Sequence, residues 1–362
     1  MDGVRPVCRF DEGAWAGREA GLAVGTVVDG PSGPHRRAIL RDTMADAYRK
    51  TLSQVGAGTY AYVQHDGSWG WSNSGLVVDG PSALVVDTLF DLRLTRELLD
   101  AYRRVLPPAA EIGTLVNTHA NGDHTFGNQL LGGARIVASR RTAEEMTEVP
   151  PSLFSALMRA TSGMGATGEF LQRIFGAFDF EDVVLTPPGE TFEGELVLRV
   201  GDKEVRLVEV GPAHTRGDTI VVVPADRVVY TADILFVGGH PIMWEGPLDN
   251  WLRALDLVMA LDVDTVVPGH GPVTDKRAAA ELRDYFVHLD REARQRYDAG
   301  VGPMEAALDI PLSGYAGWGE AERVVANVGA LYRWYSGAER RPAAQVLSDM
   351  AEFDLRRRQL TG

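Results

Sequence analysis

The chain has 362 residues, 45% apolar and 24% charged, which is enough for a sizeable core and a soft expectation of about two domains. Fifty acidic residues against thirty-six basic ones give a formal charge of −14, which argues against a phosphate-tracking surface and so against nucleic acid as a partner. No run approaches the ~18 apolar residues of a membrane span, and the first twenty-odd residues lack the apolar centre of an export signal. The single Cys8 can form neither an internal disulfide nor a paired thiolate metal site. A cytoplasmic protein without a membrane partner is expected, and any metal it holds must use His, Asp or a neutral oxygen.

Residues 1–56 mix Gly, Pro and charge and read as an N-terminal extension with one helix near 38–54. From Tyr60 short β-rich runs appear: YAYVQH, then GLVVDG and SALVVDT joined by a Gly-Pro turn signal. Leu94 to Val105 has helical spacing, and Ile112 to Asn117 is a short strand running into THANGDHTFGN, with a further strand at Ala134 to Ala138. Residues 140–182 break the pattern, with two short amphipathic helices around the Gly-rich joint SGMGATG. This insertion either completes the core or acts as a lid over an apolar substrate. Strand patterns return at 191–199, 204–210, 219–224 and 227–231, followed by a helix at 250–260 and the strand Asp264 to Val267 before PGHGPV. Residues 57–280 therefore read as a catalytic core, and 281–362 as a C-terminal helical segment. Alternating strands and helices place the chain in the α/β class, but periodicity alone does not choose between a doubly wound sheet and a two-sheet sandwich.

Four histidines, His119, His124, His214 and His270, sit in strand-end loops beside small residues, in THANGDH, GPAHTRGD and PGHGP. Small neighbours let imidazoles converge, and imidazole with carboxylate suits Zn2+, Fe2+ or Mn2+. His119, Asn121, Asp123 and His124 share one loop and can point to two adjacent metal positions. One loop histidine is ordinarily a cap or surface residue, but three Gly-containing loops after apolar strands make a shared metal site the better reading. His35, His65, His240 and His288 lack this context and read as structural or solvent-facing, with His65 and His240 as candidates for a pocket wall. No Gly-x-Ser-x-Gly elbow occurs, and neither Gly-rich loop carries a P-loop lysine.

THANGDH, GPAHTRGDTIVVV, VVYTADILF and VVPGHGPV, in that order over about residues 59–280, resemble the metal motifs of the metallo-β-lactamase superfamily. The resemblance implies an αβ/βα four-layer sandwich with metals at one edge between the sheets. It assigns His119, the residue at 121 and His214 to a first metal, Asp123, His124 and His270 to a second, and Asp233 as a bridge. The family pattern H-x-H-x-D-H becomes His119-Ala120-Asn121-Gly122-Asp123-His124, so an amide stands where an imidazole belongs and the first site should be weaker. Three occupancies follow: two Zn2+ with Asn121 as a weak ligand, one ion in the second site, or one Fe2+ on His119, His214 and Asp233 as a facial triad.

The implied chemistry is hydrolysis. A bound ion lowers its water's pKa towards ~7 and polarises a carbonyl, giving attack on an ester, thioester, lactone or amide in a biosynthetic or detoxifying step. Asp123 would orient that water and accept its proton, and Asp218 either fixes an imidazole or simply forms a turn. A mononuclear non-heme iron oxygenase is the alternative enzyme, and a non-catalytic binding module the alternative class. Trp69 and Trp71 in the loop HDGSWGWSNSG, Phe154 and Met158 in the insertion, and Trp244 would line a site for a small apolar carbonyl substrate. Tyr315, Trp318, Tyr332, Trp334 and Tyr335 read as core packing or a homodimer seam, with a substrate-channel wall as the other reading.

Overall fold

The computed structural model describes residues 51–64 and 66–361. They form two sheets and ten α-helices, a mixed α/β architecture. The first sheet runs in sequence order, β1 (Thr51–Gly56), β2 (Thr59–Val63), β3 (Ser74–Asp79), β4 (Ser82–Val86), β5 (Glu111–Val116), β6 (Arg135–Ser139) and β7 (Glu190–Phe192). The hairpins β1–β2 and β3–β4 are antiparallel, whereas β4, β5, β6 and β7 pair in parallel. The second sheet, in the order β12-β11-β10-β9-β8, comprises β8 (Glu195–Val200), β9 (Lys203–Glu209), β10 (Thr219–Val223), β11 (Val228–Phe236) and β12 (Thr265–His270). Only its β11–β12 pair is parallel.

Side-chain alternation sorts the two faces of each sheet. Val77, Leu84, Val86, Val116 and Val137 join Val221, Val223, Val228, Tyr230 and Val267 in one apolar cluster between the sheets. Their sequence neighbours Leu76, Val78, Val85, Val222 and Val229 belong to the other, larger cluster, which includes the helices. That is the period of two expected of strands buried on both faces. On the first sheet lies α1 (Leu92–Arg103), capped by Asp91, whose Oδ1 accepts from Leu94 N at 2.7 Å. Its Tyr102 hydroxyl is 2.9 Å from Ser74 Oγ of β3. On the second sheet lie α6 (Leu248–Ala260) and α7 (Lys276–Asp298). Trp251 of α6 is fully buried, donates from Nε1 to the Ile234 carbonyl of β11 at 2.9 Å, and meets Phe286 of α7 at 4.7 Å between ring centroids. The layers are thus helix, sheet, sheet, helix, the expected four-layer sandwich.

Three sequence expectations change. Residues 38–50 of the expected N-terminal helix lie outside the described residues, but 51–54 are strand, paired through Thr51↔Val63 and Gln54↔Tyr60. The core sheet therefore starts ahead of the boundary read at residue 57. The run 191–199 is not one strand: Gly194, at φ 71°, turns the chain out of β7 in the first sheet into β8 in the second. Third, VVYTADILF continues as strand to Phe236, beyond the end expected at 231.

Between β5 and β6 is the short α2 (Gly122–Thr125); after β6 come α3 (Arg140–Glu145), α4 (Pro151–Ala160) and α5 (Gly165–Phe175), the last two flanking the Gly-rich joint as the spacing predicts. Beyond α7 stand α8 (Pro303–Asp309), α9 (Arg323–Ser336) and α10 (Ala343–Thr361). α10 reaches back to the insertion, where Arg173 of α5 pairs with Asp354 at 2.7 Å. No helix among the described residues is long and apolar enough to cross a membrane.

Because Trp251 joins the helix layer to β11 by both packing and a buried hydrogen bond, Trp251→Ala should lower unfolding free energy by about 3–5 kcal/mol, read by urea denaturation. A loss below about 1 kcal/mol would show that β11 does not depend on that layer.

Candidate metal centre

The loops carrying the four strand-end histidines meet at one edge of the sandwich, at the carboxyl ends of parallel strands β4, β5 and β12. Asp233 reaches them from inside β11, with its backbone neighbour Ala232 at φ 46° and an irregular β11–β12 register there. Left-handed backbone at a non-glycine residue in a strand is strained, and here it turns the Asp233 carboxylate into the cleft. Gly269 of β12 makes room: a Cβ there would collide with Asp233 Oδ1 and the Ala232 carbonyl carbon.

Each imidazole presents Nε2 to that carboxylate. His124 Nε2 is 3.1 Å from Asp233 Oδ1, and His214, His270 and His119 Nε2 are 3.3, 3.5 and 3.8 Å from Oδ2. His270 Nε2 is also 3.3 Å from Asp123 Oδ2. All four histidines and Asp233 are buried. His119 Nε2, His124 Nε2 and Asp233 Oδ1 have no hydrogen-bond partner. Orphaned buried acceptors of this kind need an ion or a water. Three sets of ligand atoms lie close enough to share an ion: His119, His214 and Asp233; Asp123, His124 and His270; and Asp87, His119 and His124, of which Asp87 is already hydrogen-bonded to His124 and Thr118. The donor set of imidazole nitrogens and carboxylate oxygens therefore fits divalent metal, whose binding would displace any proton on an imidazole Nε2.

The opposite ring nitrogens fix these orientations. His214 Nδ1 donates to the Ile242 carbonyl at 2.7 Å and His270 Nδ1 to the Gly67 carbonyl at 3.1 Å, which leaves each Nε2 as an acceptor. Asp87, just after β4, holds the other pair. It takes His124 Nδ1 at 2.9 Å on Oδ2, Thr118 Oγ1 at 2.7 Å on the same oxygen, and Thr118 N at 2.8 Å on Oδ1. Thr118 Oγ1 in turn meets His119 Nδ1 at 3.0 Å. Sequence reasoning passed over Asp87. Its only signal was an acidic residue ending the apolar run SALVVDT, where φ is 61°.

Burial lowers His119 well below the usual imidazole range and lowers His214, in each case against the pull of Asp233. Burial also depresses His124, but the Asp233 and Asp87 carboxylates outweigh it and raise that group. Burial pushes the Asp123 carboxyl up, yet its hydrogen bond with His270 and the nearby imidazole charges hold it at about 2. Asp233 is likewise held low against burial by the surrounding imidazoles.

Asn121 Nδ2 is 3.0 Å from His214 Nε2, so the amide faces the first ligand set and occupies an imidazole lone pair there. Asp218 does not touch an imidazole. It accepts from Thr215 N and Oγ1 and from Ala213 N, clamping the loop backbone around His214, and so takes the turn-forming role.

Above the centre lies a cavity of about 250 Å³. Asn121, Asp123, His214, Asp233 and His270 form its polar floor, Glu145, Glu148, Arg323 and Arg340 add charged groups to its lining, and Trp69, Phe154 and Trp244 stand in its wall with Phe90, Leu157, Leu171 and Phe175. Trp71 and Met158 are not in that wall. Trp71 packs on Phe178 at 4.9 Å, against the insertion, and Met158 packs against the core. His240 is buried on the Tyr285 hydroxyl at 3.1 Å, away from the cavity, and His65 and His35 lie outside the described residues. His288 is half-buried and meets the Pro311 carbonyl at 2.8 Å. The C-terminal aromatics do not wall a channel either: Tyr315 and Trp318 cluster on Tyr285, and Tyr332 and Tyr335 on Tyr297, all within one chain.

A four-layer sandwich with histidines and carboxylates converging at its edge defines an α/β sandwich with a candidate metal site. The sequence model of the metallo-beta-lactamase superfamily matches residues 67–270, more than half of the chain, and the chain belongs to that superfamily. It is 27% identical over 243 residues to the alpha subunit of 2,4-dinitroanisole O-demethylase of Nocardioides sp., covering 65% of this chain and 61% of that one. It is 26% identical to hydroxyacylglutathione hydrolase of Methylococcus capsulatus, over 54% of this chain and 56% of the relative. The inverting sec-alkylsulfatase of Pseudomonas sp. superposes with a TM-score of 0.59 at 17% identity, over 82% of this chain and 51% of that one, and shows the shared fold. The chain spans little more than half the length of these proteins.

Asn tolerates the left-handed backbone at position 87 but cannot supply charge to Thr118 and His124. Asp87→Asn should therefore fold and lose about 10–100-fold in zinc affinity by competition with a chromophoric chelator. Asn121→His should raise the metal retained after dialysis; an unchanged stoichiometry would show that the amide is not what limits the first ligand set.

Proposed function

We propose that the chain is a metal-dependent hydrolase, with zinc as its ion, that cleaves an ester, thioester, lactone or amide of a largely apolar substrate. The observation that carries this reading is a buried cluster of imidazole and carboxylate acceptors, lacking internal partners, at the polar end of an apolar cavity. His119, His214 and Asp233, with Asn121 beside them, would hold one ion, and Asp123, His124 and His270 with Asp233 a second. Bound there, the ion would supply a water acidified towards a pKa of ~7 and a Lewis acid for the carbonyl oxygen.

The chain's own groups account for the rest. Asp123 is ionised and is the least buried of the acidic residues in the centre, so its carboxylate can orient an attacking water and take its proton. Phe90, Phe154, Leu157, Leu171 and Phe175 hold the apolar body of the substrate and keep bulk water from the cleft. Trp69 and Trp244, 6.5 Å apart between ring centroids, wall it further.

One observation favours a second reading. His119, His214 and Asp233 by themselves make the two-histidine, one-carboxylate set of non-heme iron oxygenases. Elemental analysis of protein purified without added metal separates the two, together with a panel of aromatic and medium-chain esters and thioesters and the ether 2,4-dinitroanisole. Zinc with oxygen-independent cleavage is the expected result; iron with oxygen uptake during turnover would replace the hydrolase reading with the oxygenase one. Asp233→Asn should leave less than one equivalent of metal and cut turnover by roughly 10²-fold or more.

A further inference from the structure

Arg323, the first residue of α9, lies outside the segment shared with the superfamily and stands in the wall of the same cavity. It is only 2% exposed. One guanidinium nitrogen, Nη1, donates to the His240 carbonyl at 2.9 Å. The guanidinium carbon sits 4.1 Å from the Trp69 ring centroid and 5.4 Å from that of Phe236. Its buried Nε has no hydrogen-bond partner. No carboxylate among the described residues lies within 4.0 Å of it. Glu322 is turned to Trp69, accepting from its Nε1 at 2.8 Å. Burial raises the Glu320 carboxyl against the opposing pull of Arg323.

An arginine cannot shed its proton, and a buried cation with no carboxylate in contact is costly. Contact with two aromatic faces offsets part of that cost, but it leaves the Nε donor unmet. The position of the group relative to the metal centre is informative. Phe236 stacks flat on the His270 ring, 5.3 Å between centroids and 6° between planes, and also faces Arg323. The guanidinium is therefore one aromatic ring away from the metal centre, with the apolar wall alongside.

We propose that Arg323 is a specificity-determining residue that binds a carboxylate on the substrate, so that the substrate class is an apolar molecule with one anionic end. The planar fork suits a carboxylate, and the anion would complete the hydrogen bonding of a donor that the protein leaves unmet. The inference rests on reading this cavity as the substrate site.

Calorimetric titration of the purified holoprotein with 4-phenylbutyrate and its neutral counterpart 4-phenylbutan-1-ol tests it. The carboxylate should bind at least tenfold tighter, and Arg323→Met should bring the two affinities to within about twofold. Equal affinities in the parent protein, or a preference that survives Arg323→Met, would overturn the proposal, as each is what a purely structural arginine predicts. Should Arg323→Met not fold, Arg323→Lys decides: it keeps the charge without the planar fork, and an unreduced preference counts against the proposal. Neither titration needs turnover. Failure of the hydrolase reading would appear as no cleavage of any ester, whereas failure of this one leaves cleavage of neutral esters intact.

Discussion

A single buried carboxylate organises this molecule. Asp233 sits inside strand β11, only 3% exposed, where an unpaired negative charge is strongly unfavourable. Four imidazoles answer it through Nε2, His119 and His124 from one loop and His214 and His270 from two others. Local backbone conformation bends to the same end. Ala232 accepts a left-handed conformation, and Gly269 gives up a side chain so that the carboxylate has room. Strain and missing side chains of this kind persist where surrounding structure over-determines them, which is the usual condition of a functional site.

Around that carboxylate is a second ring of hydrogen bonds that decides which nitrogen of each histidine is free. Two backbone carbonyls, Ile242 and Gly67, set His214 and His270. Asp87 sets His124 directly and His119 through Thr118. Because outer hydrogen bonds fix tautomer and ring orientation, they shape metal affinity as much as the ligands do. The one asymmetry is Asn121, whose amide lies against His214. It leaves the first ligand set with two imidazoles and a shared carboxylate, and the second with two imidazoles and two carboxylates.

The cavity is assembled from segments far apart in the chain. The hairpin loop supplies Trp69, the insertion supplies Phe154, Leu157 and Phe175, and the helices beyond the shared segment supply Arg323 and Leu347. The aromatic contacts Trp69–Phe175 and Trp69–Trp244 join the first two of these to the loop after β11. An apolar wall around a polar floor is what a substrate with a large hydrophobic body requires.

Local pattern determined a good deal by itself. Strand runs and helical spacing located most elements, and short Gly-containing loops after apolar strands marked His119, His124, His214 and His270, because backbone periodicity and turn chemistry are properties of neighbouring residues. The order of the four motifs carried the fold. Tertiary structure decided the rest, for reasons of distance. The break at Gly194 that sends β7 and β8 to different sheets looks like continuous strand locally, and the strand at 51–54 becomes one only by pairing with β2. Asp87 has no motif, as its role depends on residues some thirty positions away. Trp71 and Trp69 are equivalent in sequence, but the path of the loop turns one onto Phe178 and the other into the cavity. Arg323 is an ordinary charged residue on a helix until packing buries it beside an aromatic face. Which side chains share a space is set by the folded path of the whole chain, and no window of neighbouring residues contains that path.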